Sequence, residues 1–524
     1  MTGAAHQGTR PALLLRTAGS APRRILSVIG VAGLLAPACG PQDHRAGAAA
    51  TLTVLMSGDE RVLGLPYDMS AKFLVFLPLT AENADGELEP RLAQSWQHAP
   101  DYREWTVRLR SDLRWHDGIP VTAHDVKFTL DLMKHPRVRW AGPGDYDVRV
   151  LDDTTYTIAY RKRGPGNPLD TWTVYYPRHL LEHLDPTEFE NWEFWIRPVG
   201  NGPYRYVRHL PGAMLELEAN PDFYRGTPRI ERVVLKFGGQ PLAELLSGNV
   251  DVMTTEADLL KVADDSRFTG YYRFEAFAAQ ALVWNHRDPA FRDRRVRRAL
   301  TLAIDRNELL QVLNLPRGTP LGDVLHTERQ FRRGETPPPL PHDSAEAARL
   351  LDEAGWRDRD GDGIRERDGR PFRFSVLVPG AGSERAAVYV QSQLRRLGIV
   401  MEVETLEIRA LFARVREAQF EAVLSYVHMR GEPGAGALHF EEDSPIGYVN
   451  PQVASRLRQA RSAFDPAEVD RLYRELWPIF QADVPVTFLH PLVRTTIAHR
   501  RVRGLVSPDR IDPVADMEAV WLER

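Results

Sequence analysis

The chain of 524 residues contains a single cysteine, Cys39, which excludes any disulfide framework within it. Long apolar runs are equally scarce. No window reaches about 18 uninterrupted apolar residues, so nothing reads as a membrane-spanning helix and the chain is not itself a pore. A Gly-rich phosphate loop and a G-x-S-x-G elbow are both missing, which removes the apparatus for nucleotide hydrolysis and serine ester chemistry. Excess charge is lacking too: the formal net charge is -4. Residues 1–38 hold four arginines (Arg10, Arg16, Arg23, Arg24) and no acid, so the remainder stands at -8. Such a mildly acidic body has no electrostatic footprint for nucleic acid. No internal repeat or low-complexity block is present.

What the N-terminus does contain is a basic pair, Arg23-Arg24, followed by the apolar stretch Ile25 to Ala38. That stretch falls short of the roughly 20 apolar residues a spanning helix needs, and reads as the core of a signal peptide covering residues 1–38. Ala36-Pro37-Ala38 suits a general signal peptidase, whereas Leu35 to Gly40 resembles a bacterial lipobox. The lipobox reading is preferred because the only thiol in the chain sits where it would take lipid. Cys39 is then the lipidated residue, and residues 39–50 form a tether holding the protein to the outer face of a membrane.

From Thr51 onward the chain reads as folded, and its length exceeds what one hydrophobic core supports, so at least two lobes are expected. Strands are predicted at 51–56, 105–109, 156–160 and 233–237, with helices from Thr122 and over 242–246. Strand and helix interleave, so the fold class is α/β. An amphipathic helix starts at Asp293, and its run of arginines (Arg292, Arg294, Arg295, Arg297, Arg298) reads as a solvated face. Helices at 345–354 and 387–397 and strands at 372–378 and 400–406 give the later half its own apolar faces.

Three patterns bear on chemistry. His179-Leu180-Leu181-Glu182-His183 matches the H-x-x-E-H pattern of zinc peptidases, in which two histidines grip the metal and the glutamate activates water. No third ligand stands at a recognisable spacing, and an ordinary short helix is the simpler reading. Asp358 to Gly363 imitates the start of a calcium loop, but position twelve is Gly369 where a bidentate Glu is needed, which favours a tight Asp/Gly turn. Finally, Trp172, Tyr175, Tyr176, Trp192 and Trp195 cluster, and Trp284 and Tyr426 stand at strand ends; core packing and ligand stacking both use such residues.

Several stretches in order resemble the extracellular solute-binding proteins of family 5, the peptide- and nickel-binding group of importer components. They are Leu92 to Trp96 with Trp105 to Asp125, Pro198 to Tyr204, Asn220 to Pro228, Ser247 to Asp251, and Asn285 to Arg306. Asn201 stands where the family commonly has Thr. The resemblance implies a two-lobed periplasmic binding protein of the flytrap kind, with mixed sheets and hinge crossovers. Residues 51–284, completed by 489–524, would form the large lobe, and 285–488 the second. It implies no catalysis and no cofactor, a monomer, a peptide-sized or other polar organic ligand between the lobes, and an ABC permease as partner. An exported metallopeptidase and a ligand sensor of the same fold are the alternatives.

The resemblance also places ligand contacts at Trp284, Asn285, Tyr426, Met429, Arg430 and Glu432, with Trp284 and Tyr426 as stacking walls. Peptide-binding members carry an Asp for the ligand's amino group in the segment matching Tyr426 to Pro433. Here that Asp is missing, and Arg430 would repel an ammonium group.

Overall fold

The structure is a computed structural model that describes residues 50–56, 69–82, 88–138, 145–162, 173–255, 262, 265–380, 383–428, 440, 444–505 and 517–523. Cys39, Trp172, Met429, Arg430 and Glu432 lie outside the described residues. The described residues belong to one compact unit, Ala49–Arg524. None of their helices is long and apolar enough to cross a membrane.

Ten strands make one mixed sheet, in the order Val400–Leu406, Arg373–Pro379, Ala422–His428, Phe268–Trp284, Val486–His499, Val252–Thr255, Thr51–Met56, Arg232–Phe237, Met214–Ala219 and Tyr204–Leu210. Thr51–Met56 runs parallel to both of its neighbours, and Arg373–Pro379 does the same among its own. Parallel strands bury both faces, which accounts for their apolar, β-branched composition. A separate antiparallel sheet joins Ala93–His98, Glu104–Leu109, Thr155–Lys162 and Asp145–Asp152. The helix Ala123–Met133 starts where its sequence suggests: the buried Asp125 carboxylate accepts from the Thr122 amide (2.8 Å), the Thr122 hydroxyl (3.0 Å) and the Arg178 amide (2.8 Å).

The signature turn at 198–204 holds this part of the molecule together. His116 donates its amide to Gly200 O (2.7 Å) and accepts the Gly200 amide on Nδ1 (3.2 Å). That fixes the tautomer, so Nε2–H donates to Gly202 O (3.1 Å). Asn201 and Gly202 both donate to Val75 O, and the Leu77 amide donates to Asn201 Oδ1 (2.8 Å). A Cβ on Gly200 would lie 1.9 Å from Val75 O, so only glycine allows this approach.

Buried apolar side chains fall into distinct clusters. One draws on Leu52 to Phe237 and then on Ala498 to Val520, with a smaller one beside it around Leu245, Phe268 and Ile497. Two others lie among residues 279–489: Trp284, Phe291, Leu300 and Phe374 belong to one, and Val283, Val423, Leu476 and Phe488 to the other. Core membership therefore changes inside the two long strands, between Phe268 and Ala279 and between Leu489 and Ile497. The architecture is α/β with two chain crossovers, as the sequence implied.

Arg297 departs from the solvated face expected of its helix, Arg294–Leu302. It is buried, and its guanidinium donates to the carbonyls of Val484 (2.9 Å), Phe291 (2.7 Å), Arg292 (3.0 Å) and Asp483. The acceptors at 483 and 484 terminate the helix Pro466–Asp483, where partial negative charge gathers. Burial pulls the Arg297 pKa down to about 10, so it stays charged.

Candidate ligand site at the crossover strands

The two long strands, Phe268–Trp284 and Val486–His499, pair antiparallel at the centre of the sheet. Pairing is continuous from Phe268 opposite His499 to Glu275 opposite Leu492, then jumps to Ala279 opposite Pro491. Residues 276–278 thus have no counterpart. A second shift, between Gln280 opposite His490 and Ala281 opposite Phe488, passes over Leu489. Pro491 has no amide hydrogen to give, and proline inside a sheet is tolerated at such irregularities. The break coincides with the change of core.

A concavity of ≈ 410 Å³, open to solvent, lies against this break. The strands contribute Ala278, Ala279, His490 and Pro491, and the segment 320–336 contributes Gly322, His326 and Phe331. The His326 and Phe331 rings stack with centroids 5.0 Å apart. Among the described residues, no lining side chain is a carboxylate, an ammonium or a guanidinium.

The His490 ring sits in a buried polar chain. Its Nδ1 lies 2.7 Å from Pro491 O, its Nε2 lies 3.0 Å from the Gln280 amide, and that amide pairs at 3.4 Å with Ser383 Oγ. Burial lowers the imidazole pKa to about 4, so the ring is neutral near pH 7 and has one N–H. With Nδ1–H donating to Pro491 O, Nε2 must accept, which turns the Gln280 NH₂ toward it and leaves the Gln280 oxygen for the Ser383 hydroxyl.

The residues expected to touch ligand are distributed otherwise. Trp284 is fully buried, stacked on Phe291 (5.0 Å), with its indole N–H 3.3 Å from Thr487 Oγ1. This is a core position, because the C-terminal half of its strand is covered on both faces. Asn285 is also buried and serves the backbone, donating to the carbonyls of Phe420 (2.7 Å) and Ala418 (3.4 Å). Tyr426 is half-buried opposite Gln280, whereas Trp284 is opposite Ala422. Four residues of strand, ~13 Å, separate the two positions along the sheet.

The zinc pattern is not assembled. Its helix, Arg178–Leu181, ends before Glu182 and His183; His179 pairs with Asp117 (2.8 Å), and Glu182 with Arg178 (2.6 Å). The Asp/Gly turn does bring carboxylate oxygens of Asp358, Asp360 and Glu366 within 4.8 Å of one another. Those groups already accept turn amides: Asp358 those of Gly361 and Gly363, Asp360 that of Asp362, and Glu366 that of Arg359. Gly369 falls in the hairpin that follows, with φ 72°. Of the aromatic cluster, Tyr175, Tyr176, Trp192 and Trp195 are core residues. Gln280, Gly322, His326, Ser383 and His490 were not anticipated; the available signal was a proline directly after His490 in a β-branched run.

A mixed sheet crossed twice by the chain, with separate cores on either side of the crossing, defines the class of two-lobed periplasmic binding proteins. Solved structures share this fold. NikA from Brucella suis in complex with Fe(III)-EDTA matches with a TM-score of 0.78 at 21% identity, over 90% of this chain and 100% of that one. AppA from Bacillus subtilis in complex with a nonapeptide matches at 0.68 and 22%, over 90% and 99%. Within that class, the family model for bacterial extracellular solute-binding proteins, family 5 Middle, matches residues 87–439, and the chain belongs to this family. Similar proteins include the oligopeptide-binding protein AppA of Bacillus subtilis strain 168, 26% identical over 81% of each chain. Protein XP55 of Streptomyces lividans is 27% identical over 93% of this chain and 92% of its own. The family is one of solute binding outside the cytoplasm.

Proposed function

We propose that this protein is the substrate-binding lipoprotein of a bacterial ABC importer, which captures a peptide-sized or other polar organic solute between its lobes and delivers it to a membrane permease. The observation that carries the reading is the break in the two crossover strands. Closure needs a few residues that absorb backbone rotation between rigid parts, and residues 276–278, skipped in the pairing with Val486–His499, together with Pro491 opposite Ala279 are suited to that. Relatives named for oligopeptide binding support the ligand class. Cys39, as mature N-terminus, carries the lipid; two acyl chains or more hold a protein firmly at a membrane. Cys39→Ala is expected to release the protein from the membrane fraction, and unchanged processing and retention would remove the lipid anchor from the proposal.

In the same reading, the segment Met429 to Glu432 meets the ligand beside Tyr426, and Arg430 replaces the acid that would pair an α-amino group. A buried ammonium without a carboxylate costs several kcal/mol. Trp284 and Asn285 then act from behind, as packing. Calorimetry with matched free and N-acetylated di- to pentapeptides is expected to favour the acetylated forms. A clear preference for free amines, abolished by Glu432→Gln, would restore an ordinary peptide receptor.

A further inference from the structure

The concavity at the strand break includes Ala278, which pairs with His428 at the end of the strand Ala422–His428, and its chemistry differs from that of a charged anchor. We infer that it is a subsite for an uncharged apolar or aromatic side chain of a peptide-like ligand, and that it rejects lysine-, arginine-, aspartate- and glutamate-type groups. The inference rests on the peptide-class reading above and adds the character of the group that is taken.

The lining carries the argument. Small residues on the strand side, Ala278 and Ala279, and Gly322 on the segment 320–336 leave the concavity open to solvent at this point. The stacked rings of His326 and Phe331 give that space an aromatic wall. His490 is committed to its Pro491 and Gln280 partners, so it offers no free donor to an anion. With no carboxylate, ammonium or guanidinium on any described lining residue, an incoming ammonium or carboxylate loses water and meets no such counter-charge. An apolar group loses only unfavourable hydration.

Gly322 makes the test clean. Its φ is outside the left-handed region, and a Cβ built on it meets nothing within 4 Å, so a larger side chain at this lining position is accommodated without straining the backbone. The probes are the N-acetylated tripeptides Ala-Xaa-Ala, with Xaa as Phe, Leu, Lys or Glu, and free indole, titrated into the full chain and its Gly322→Leu variant. Unchanged thermal melting checks that the variant is folded. Phe and Leu peptides are expected to bind wild type at least tenfold more tightly than Lys and Glu peptides, and Gly322→Leu to erase that preference. Equal or tighter binding of the charged peptides, or a preference that survives Gly322→Leu, would overturn the subsite. If no peptide binds but indole does, and Gly322→Leu displaces it, the subsite stands and the peptide-class reading fails. If neither peptides nor indole bind wild type, the subsite fails. Should Gly322→Leu not fold, Phe331→Ala replaces it, with at least a tenfold loss for the Phe peptide expected and no loss overturning the inference.

Discussion

Two places in this molecule bring distant segments together, the glycine turn at 198–204 and the break in the long strands at 275–281, and they are built in opposite ways. At the turn, hydrogen bonds link three residues to His116, Val75 and Leu77, and the packing leaves no room for a methyl group. At the break, residues 276–278 have no partner on Val486–His499 and a proline withholds a donor. One site is over-determined and the other under-determined. Under the proposed function, the contrast separates a joint that holds shape from one that changes it.

The sharpest way to break the comparison is a methyl group at each place. Gly200→Ala drives a Cβ into Val75 O and is expected to lower stability by about 3 kcal/mol or more, whereas Gly322→Ala, beside the break in open space, should stay within about 0.5 kcal/mol. Urea unfolding of both variants reads the difference. Similar losses at the two positions would erase the distinction.

A comparable effect comes from pH. His116 at the turn has its pKa lowered to about 4, chiefly by burial, while an unfolded histidine takes up a proton near 6.5. Between those values the unfolded state binds more protons, so stability falls as pH falls through that window and the loss is complete below about 4. The sum is of order 3 kcal/mol for this group. His286, lowered to about 3, and His490, lowered to about 4, act with the same sign. Unfolding free energies measured from pH 7 to pH 4 should decline, and His116→Gln should flatten part of the slope. A slope identical in the variant would show that the turn does not sense protonation.

The smallest expected effect sharpens the other side. Pro491→Ala returns an amide donor to the break, a gain of about 1 kcal/mol, but frees the unfolded chain, a loss of roughly 0.4–1 kcal/mol. Net stability should hardly move. Amide exchange over 276–281 should slow by severalfold, and unaltered exchange would mean that the proline does not set the looseness of this stretch.

Much of the fold was legible because local pattern and tertiary placement agree. The strand predicted over 51–56 is observed at Thr51–Met56, a short apolar run, and that over 400–406 at Val400–Leu406, where Met401, Val403 and Thr405 alternate with Glu402 and Glu404. Sequence alone could not separate Trp284 in the core from a ring at a pocket wall, because an aromatic residue at a strand end satisfies both environments. Arg297 was misread for a related reason: two of its acceptors, Asp483 O and Val484 O, are nearly two hundred residues away, and no helical periodicity reveals them. The pocket at the break depends on which residue is skipped in a register, a property of two strands paired across more than two hundred residues of chain.

The buried guanidinium of Arg297 has a mechanical meaning. It ties the start of one helix to the end of another, two residues before the strand Val486–His499 begins. Strand and helices are thereby coupled like the arm and shaft of a lever, so torque applied anywhere on that block is not dissipated by internal slip. Under the proposed function it is delivered to the break, where Leu489 and Pro491 mark one strand and residues 276–278 the other. A ligand held by a few contacts near that break could therefore set the position of several hundred residues.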